Sequence, residues 1–414
     1  MRDELSTTLK ACRLCGGGGI EEIVDLGAQP PANSLRRELS ENLPAIPLVL
    51  CRCTACGLVQ LTETVRPDYL FRHYVWVTGT SQVTRDYSHR FCEQLSAKCK
   101  PGQLFVVEVA SNDGTFLQRF CERGHRVLGI DPARNIAKAA QRQGVDTIAD
   151  FFGLGIARQI VADRGRADAV FARNVIPHVA DVNDVVAGME HCLAPEGIGA
   201  IEFHRADRIL EELHYDSIYH EHVAYHSLHS MNRLLAQHGL RPFDITESPI
   251  SGGSTVVYFS KTERLPTAAV AAMLARENQL GITAAEPWQQ FAKLCDTHRI
   301  ELRALVDAIK ARGKRLIGYG ASARSSTLLN YSGIDHRQLD AIADQSAYKH
   351  DCYTPGTDIL IAAPRNAFAL KPDAVLLLAW NFRDEILTQI ARDQHWQGEV
   401  VVPLPGKPTT LQLQ

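Results

Sequence analysis

The chain has 414 residues, too many for one compact domain, and its 45% apolar and 22% charged content is that of a globular protein with two or three domains. A formal net charge of −3 excludes a general attraction to nucleic acid or to an acidic membrane, so neither is an expected partner. No apolar run approaches the roughly 20 residues of a membrane span, and the opening MRDELSTTLK lacks the apolar core of a signal peptide, so a cytoplasmic protein is expected.

Eleven cysteines in such a chain read first as metal ligands or buried apolar thiols. Cys12 and Cys15 form one CxxC knuckle and Cys53 and Cys56 a second, each followed by glycine, so each can wrap two thiolates onto one ion. Four thiolates make the closed, structural zinc arrangement rather than a catalytic one. Turn residues near 29–33 and a strand over 46–50 fill the gap between the pairs. Cys51 is a spare able to compete with Cys53. A redox CxxC is the alternative. Residues 69–81, rich in Tyr, Trp and hydroxyls, either link two domains or line a polar pocket, and residues 82–98 read as a helix.

The stretch 106–120 combines β-branched residues, the turn Ser111-Asn112-Asp113-Gly114, and apolar residues at helical spacing: strand, turn, helix. A second strand, 126–130, ends in Asp131, about twenty residues after the turn, where a Rossmann-like unit places the carboxylate for ribose hydroxyls. The turn is not GxGxxG. Its single glycine and its Asp suit a cationic ligand without phosphate better than a dinucleotide. S-adenosylmethionine is such a ligand, which points to methyl transfer rather than hydride transfer; a βαβ unit without cofactor is the plainer alternative. Further strands and helices alternate through 136–203, as an α/β domain requires. Asp150 and Phe151 set an acid beside an aromatic ring where an adenine would fit.

The densest chemistry follows: Glu202, His204, then Tyr219-His220-Glu221-His222, with Tyr225 and His226. Half of a metal site is one reading, but the i, i+4 spacing or further carboxylate that a metal wants is not evident. Acid–base work needs only a histidine, a carboxylate to orient it and a phenol. Beyond helical sequence at 276–309, residues 314–329 make a second strand, glycine turn and helix around Gly318-Tyr319-Gly320-Ala321-Ser322-Ala323-Arg324. Two glycines, hydroxyls and an arginine suit a phosphate; close packing is the alternative use of the glycines.

As an ordered set, CxxC with CxxC, EVASNDGTFL at 108–117, YHEH at 219–222, GYGASAR at 318–324 and TPGT at 354–357 resemble the zinc-containing sugar C-methyltransferases that install the methyl branch of deoxysugars. The resemblance runs nearly end to end. It implies an α/β fold: a zinc domain over 1–70, a Rossmann-like S-adenosylmethionine domain over 71–285, and a second small Rossmann-like domain over 286–414 that holds the nucleotide of the substrate. It implies methylation at C3 of a dTDP-linked 4-keto-deoxysugar through an enolate, with His222 as base, Glu221 orienting it or holding a hydroxyl, and Tyr219 and His178 on the keto oxygen. Cofactor contacts are expected from Glu108, Ala110, Asn112, Asp113, Gly114, Asp131, Pro132, Asp150, Phe151 and Asn174. Substrate contacts are expected from Tyr74, Trp76, Gly320, Ser322 and Arg324, and zinc ligation from Cys12, Cys15, Cys53 and Cys56. The family often has Gly at Ala110 and usually Lys at Arg324. Another activated ketone as substrate, or a non-catalytic nucleotide-sugar binder, is the alternative function. With no long apolar seam, a monomer is expected.

Overall fold

The computed structural model describes residues 5–72 and 77–414. Nearest the amino terminus, β1 (Ser6–Thr8) pairs with β5 (Glu63–Val65), while β2 (Ile20–Gln29), β3 (Ile46–Cys53) and β4 (Val59–Leu61) form an antiparallel sheet. Its fourth strand is not local: β11 (Ala224–Tyr225) pairs with β4, Ala224 opposite Gln60 and Tyr225 opposite Val59. The two cysteine knuckles sit before β2 and at the end of β3, and Gly16 and Gly57 take φ of 70° and 74° to close them.

The central sheet comprises β6 (Phe105–Val109), β7 (Arg126–Ile130), β8 (Thr147–Ile148), β9 (Ala167–Arg173), β10 (Leu193–His204), β12 (Arg241–Ser248) and β13 (Ser254–Ser260). Its order is β12-β13-β10-β9-β6-β7-β8, with the last five strands parallel and β13 antiparallel to both neighbours. Every side chain of β6 is buried, as a parallel strand covered on both faces demands. The chain order reverses between β6 and β9, and an open α/β sheet binds its ligand in the crevice at such a switch point. The helix after β6, Thr115–Cys121, is capped by Gly114 at φ 80° and not by a side chain of the preceding Ser-Asn-Asp run, which the sequence favours for capping.

The carboxyl-terminal sheet repeats the plan: β14 (Leu316–Tyr319), β15 (Ile342–Ala343), β16 (Ile361–Ala362), β17 (Ala374–Leu377), β18 (Gly398–Val402) and β19 (Thr409–Leu413), in the order β16-β15-β14-β17-β18-β19. Here the reversal lies between β14 and β17. The helical sequence before it forms two helices, Ala268–Leu280 and Glu286–Ala311. Among the described residues no helix is long and apolar enough to cross a membrane.

Candidate active site

At the carboxyl end of β6 the chain turns through Ala110 and Asn112, both at left-handed φ (52° and 51°), before Gly114. Alanine at this position is thus accommodated by strain rather than by the glycine common in the family. The Asp131 carboxylate at the end of β7 takes the Asn112 N–H and the Ala133 N–H, each at 2.8 Å. Burial raises its pKa from 3.8 to about 6 despite those two bonds. Burial also pushes the Glu108 carboxyl well above the usual carboxylate range, and its Oε2 has no hydrogen-bond partner among the described residues. Asn174, at the end of β9, has φ 52° and hydrogen-bonds Glu202 with its side chain at 3.2 Å. Glu202 also holds Arg173 at 2.7 Å, and the guanidinium lies 3.2 Å over the Phe116 ring.

The Asp113 carboxylate, expected at the ligand, is engaged within the protein. Asp113 accepts from Thr115 Oγ1 at 2.7 Å through one oxygen and from the Gly79 N–H at 3.0 Å through the other. It shapes the turn and closes the 78–80 segment over it. At Gly114 an added Cβ would meet Val145 at 2.9 Å, so the glycine serves helix packing. The Phe151 ring is covered by the Arg72 guanidinium at 4.5 Å, which also pairs with Asp150 at 3.5 Å. Pro132 follows Asp131 on the crevice rim, partly exposed. Tyr74 and Trp76 lie outside the described residues.

The Y-H-E-H segment lies between a short turn at Tyr215–Ser217 and β11. His222 Nδ1 is 3.0 Å from the Ser217 carbonyl and Nε2 is 2.7 Å from the Tyr219 hydroxyl. A carbonyl only accepts, so Nδ1 carries the proton, and the Tyr219 O–H donates to Nε2. His178 stands edge-on to His222 at 4.6 Å between ring centres, and its Nδ1 is buried with no partner among the described residues. Burial, helped by the His178 ring and the Arg324 guanidinium, holds His222 well below an ordinary histidine pKa; burial brings His178 down to about 4. Burial also pushes the Tyr219 phenol well above its ordinary value, and the Glu221 charge adds to the shift. Both histidines are therefore neutral at physiological pH. His220 faces away from this pair: its Nε2 reaches the Ile46 and Pro47 carbonyls of β3, at 3.1 and 3.2 Å.

The second glycine turn approaches the same segment from the other side. Gly320 (φ 98°) lies where a Cβ would meet Ala379 at 2.4 Å, so no other residue fits there. Ser322 caps the helix Ala323–Ser332 through the Ser325 N–H at 3.2 Å. Arg324, expected to face a phosphate, makes a two-pronged ion pair with the buried Asp216 at 3.0 and 2.8 Å. Trp380 Nε1 donates to the same carboxylate at 2.8 Å, and the guanidinium lies 4.7 Å over the Trp380 ring. Asp216, Trp380 and Ser217 carried no local signal, because each acts through a partner distant in sequence or through its backbone.

Cys12, Cys15, Cys53 and Cys56 bring their sulfurs within 4.8 Å of one another, with Cys12 to Cys56 and Cys15 to Cys53 both at 3.6 Å. Tetrahedral Zn–S bonds of about 2.3 Å require sulfurs roughly 3.8 Å apart, so the set fits zinc. The Cys56 thiol favours a Cys12 thiolate and pulls that pKa down to about 4. Cys51 stays outside, its Sγ on the Gln60 carbonyl at 3.2 Å, so no exchange of ligands with Cys53 is seen.

A switch-point crevice with a buried acid at the end of β7, in a chain that also carries a four-cysteine set fit for structural zinc, is compatible with an S-adenosylmethionine-dependent methyltransferase. Family models agree along the chain: a zinc binding domain matches residues 12–71, a methyltransferase domain 80–244 and a C-methyltransferase C-terminal domain 249–405. C-methyltransferase NovU of Streptomyces niveus is 33% identical over 402 residues, covering 95% of each chain. The chain belongs to this family of zinc-containing C-methyltransferases. Solved structures are more distant. Magnesium protoporphyrin IX methyltransferase from Synechocystis PCC 6803 with bound SAM is 14% identical at TM-score 0.33, covering 43% of this chain and 79% of that one. The CcbJ methyltransferase of Streptomyces caelestis is 10% identical at TM-score 0.35, covering 42% and 90%.

Proposed function

We propose that the acceptor is a nucleotide-linked 4-keto-deoxysugar, methylated at C3 through an enolate, by a monomeric enzyme. The observation that carries this reading is the Tyr219–His222 pair beside the unpartnered His178 Nδ1, set between the two switch-point crevices. Carbon methylation next to a ketone needs a base for the C–H and a donor for the developing oxyanion.

S-adenosylmethionine supplies an electrophilic methyl group. The chain's residues make the carbon that receives it. His222 is the terminal base: as the Tyr219 oxygen takes the C3 proton, its own proton passes to His222 Nε2, and the Ser217 carbonyl holds the imidazolium through Nδ1. His178 turns its Nδ1 to the sugar and donates to the keto oxygen in the tautomer that carries the ring's one proton there, releasing the Glu221 carbonyl, while Tyr219 serves the proton relay rather than the keto group. Glu221 holds a sugar hydroxyl. Asp131 takes the ribose of the methyl donor, and Glu108, Asn112, Pro132, Asp150, Phe151 and Asn174 line its crevice. Gly320 and Ser322 present a helix amino terminus to the diphosphate, while Arg324 works from its pair with Asp216. Positioning of the substrate against the methyl donor supplies the rest of the rate.

The experiment is deuterium washout. Incubated in D2O without methyl donor, the enzyme is expected to exchange C3–H of dTDP-4-keto-6-deoxyglucose, and to methylate that carbon when S-adenosylmethionine is added. Exchange with simple ketones but not with the sugar nucleotide would overturn the substrate assignment.

A further inference from the structure

One hydrogen bond ties the zinc domain to the catalytic segment across 188 positions: Asn33 Nδ2 to Glu221 Oε1 at 2.6 Å. Glu221 is 2% exposed, and a carboxylate only accepts, so the amide NH2 end must face it. A charge-assisted bond this short, made by a side chain with two rotatable bonds, restricts how the carboxylate can turn.

Asn33 is itself held. Its loop follows Pro30 and Pro31, and just beyond it Arg36 and Tyr353 exchange backbone hydrogen bonds, at 3.2 and 2.7 Å. The Arg36 guanidinium pairs with Asp358 and takes the Leu39 and Glu41 carbonyls. Asp358 follows the T-P-G-T turn, whose Gly356 packs so closely that a Cβ would lie 3.1 Å from Pro30 and 2.3 Å from Asn330 Oδ1. Asn330 in turn donates to the Pro355 carbonyl at 3.1 Å. The loop at 30–36 thus meets the carboxyl-terminal domain at both ends, Pro30 and Arg36, and presents an amide to the Glu221 carboxylate between them.

We propose that Asn33 is a positioning residue for Glu221: the zinc domain contributes this amide to the active site, and the T-P-G-T turn holds it in register. Its effect on the reaction rests on the role given to Glu221 above. The contact itself does not, and the two are tested separately.

The contact is tested without substrate. In thermal unfolding of the zinc-loaded full chain, the Tm losses of Asn33→Ala and Glu221→Gln are expected to be non-additive, the double variant losing clearly less than the sum. Additive losses would overturn the proposal whatever the substrate is.

The role is tested with dTDP-4-keto-6-deoxyglucose. Asn33→Ala is expected to lower kcat about tenfold, with zinc content and S-adenosylmethionine affinity unchanged. The isosteric Asn33→Asp keeps the fold and supplies a pH readout. While the two carboxyls share a proton, that proton replaces the amide N–H; once it is lost, like charges repel. The kcat of Asn33→Asp relative to wild type should therefore fall as pH rises from about 5 to 8. A profile parallel to wild type, or a kcat within twofold of it for Asn33→Ala, reduces Asn33 to a structural residue and overturns the proposal. Absence of turnover by the wild-type enzyme would count against the substrate assignment only.

Discussion

Burial acts differently on the groups proposed for catalysis and on the acid proposed for the methyl donor. Burial keeps His222 and His178 neutral, so His222 is a competent base well into the acid range. Replacing His222 with Asn, or Tyr219 with Phe, breaks the 2.7 Å relay and is expected to lower kcat by about two orders of magnitude. Cofactor affinity should move little, since neither residue lies at the carboxyl ends of β6, β7 or β9; near-normal kcat in both variants would remove the pair from the mechanism. Asp131 behaves oppositely. Its pKa in the ligand-free fold is raised to about 6 from 3.8, so the folded state holds a proton that the unfolded chain has lost. Stability then falls as pH rises between these values, by on the order of 3 kcal/mol once pH exceeds 6. A ribose hydroxyl donates more strongly to the charged carboxylate than to the neutral acid, so, with Asp131 in its proposed ribose role, S-adenosylmethionine binding should strengthen as pH rises and level off above about 6. Isothermal titration between pH 5 and 8 checks this. Asp131→Asn should bind weakly with a flat profile, and an unchanged slope in that variant would assign the titration to another group.

Around the first turn, elements rather than single side chains close the crevice. The 78–80 segment lies against the 112–115 turn through Thr78 N–H to Asn112 Oδ1 at 2.8 Å and Gly79 N–H to Asp113 Oδ2 at 3.0 Å. A Cβ on Gly79 would sit 2.6 Å from that Asp113 oxygen and 2.7 Å from Thr115 Oγ1. Gly79→Ala should therefore lift the segment at a cost of roughly 1–3 kcal/mol, lowering S-adenosylmethionine affinity about tenfold while circular dichroism stays native. Wild-type affinity would mean that the segment does not cover the ligand. The elements themselves were largely legible in the sequence: β7 falls on residues 126–130 as expected, because a buried parallel strand is written as an apolar run. The four cysteines were legible for a similar reason, since ligand spacing within each knuckle is local. What escaped was long-range. Nothing near Ala224 announces a strand that pairs with β4, and nothing near Asp216 announces the guanidinium it meets 108 positions later. The capping of the Thr115–Cys121 helix escaped for a local reason: Asp113 has the right chemistry for a cap but spends it on Thr115 and Gly79, leaving the turn to Gly114.

Across the whole molecule the zinc domain is a brace between the other two rather than an appendage. Cys12, Leu14, Cys53 and Leu58 share a buried cluster with Val107, Ile130 and Ala172 of the central sheet, whereas Leu48, Leu50, Val59 and Leu61 share one with Ile309, Leu316 and Ile342 on the carboxyl-terminal side. Between these two cores runs the 218–225 segment proposed for catalysis, pinned at His220 to the β3 carbonyls, at Val223 to the Leu61 N–H (2.9 Å), and by β11 to β4. On the far side Thr327 Oγ1 holds the Ile218 carbonyl at 2.7 Å and Arg324 holds Asp216. Zinc bonds fix the knuckle that ends β3, and through it the two strands to which this segment is tied. The crevice at β6, β7 and β9 is instead built within the central sheet. Stripping zinc with a strong chelator should therefore separate the two functions: methyl transfer falls by about a hundredfold or more, while S-adenosylmethionine affinity changes by less than about fivefold. Metal analysis, turnover and titration on the same stripped sample check it. Full turnover at zero zinc would show that strand pairing alone holds the segment, and parallel loss of both functions would show that the cysteine knuckles support the central sheet as much as the catalytic segment.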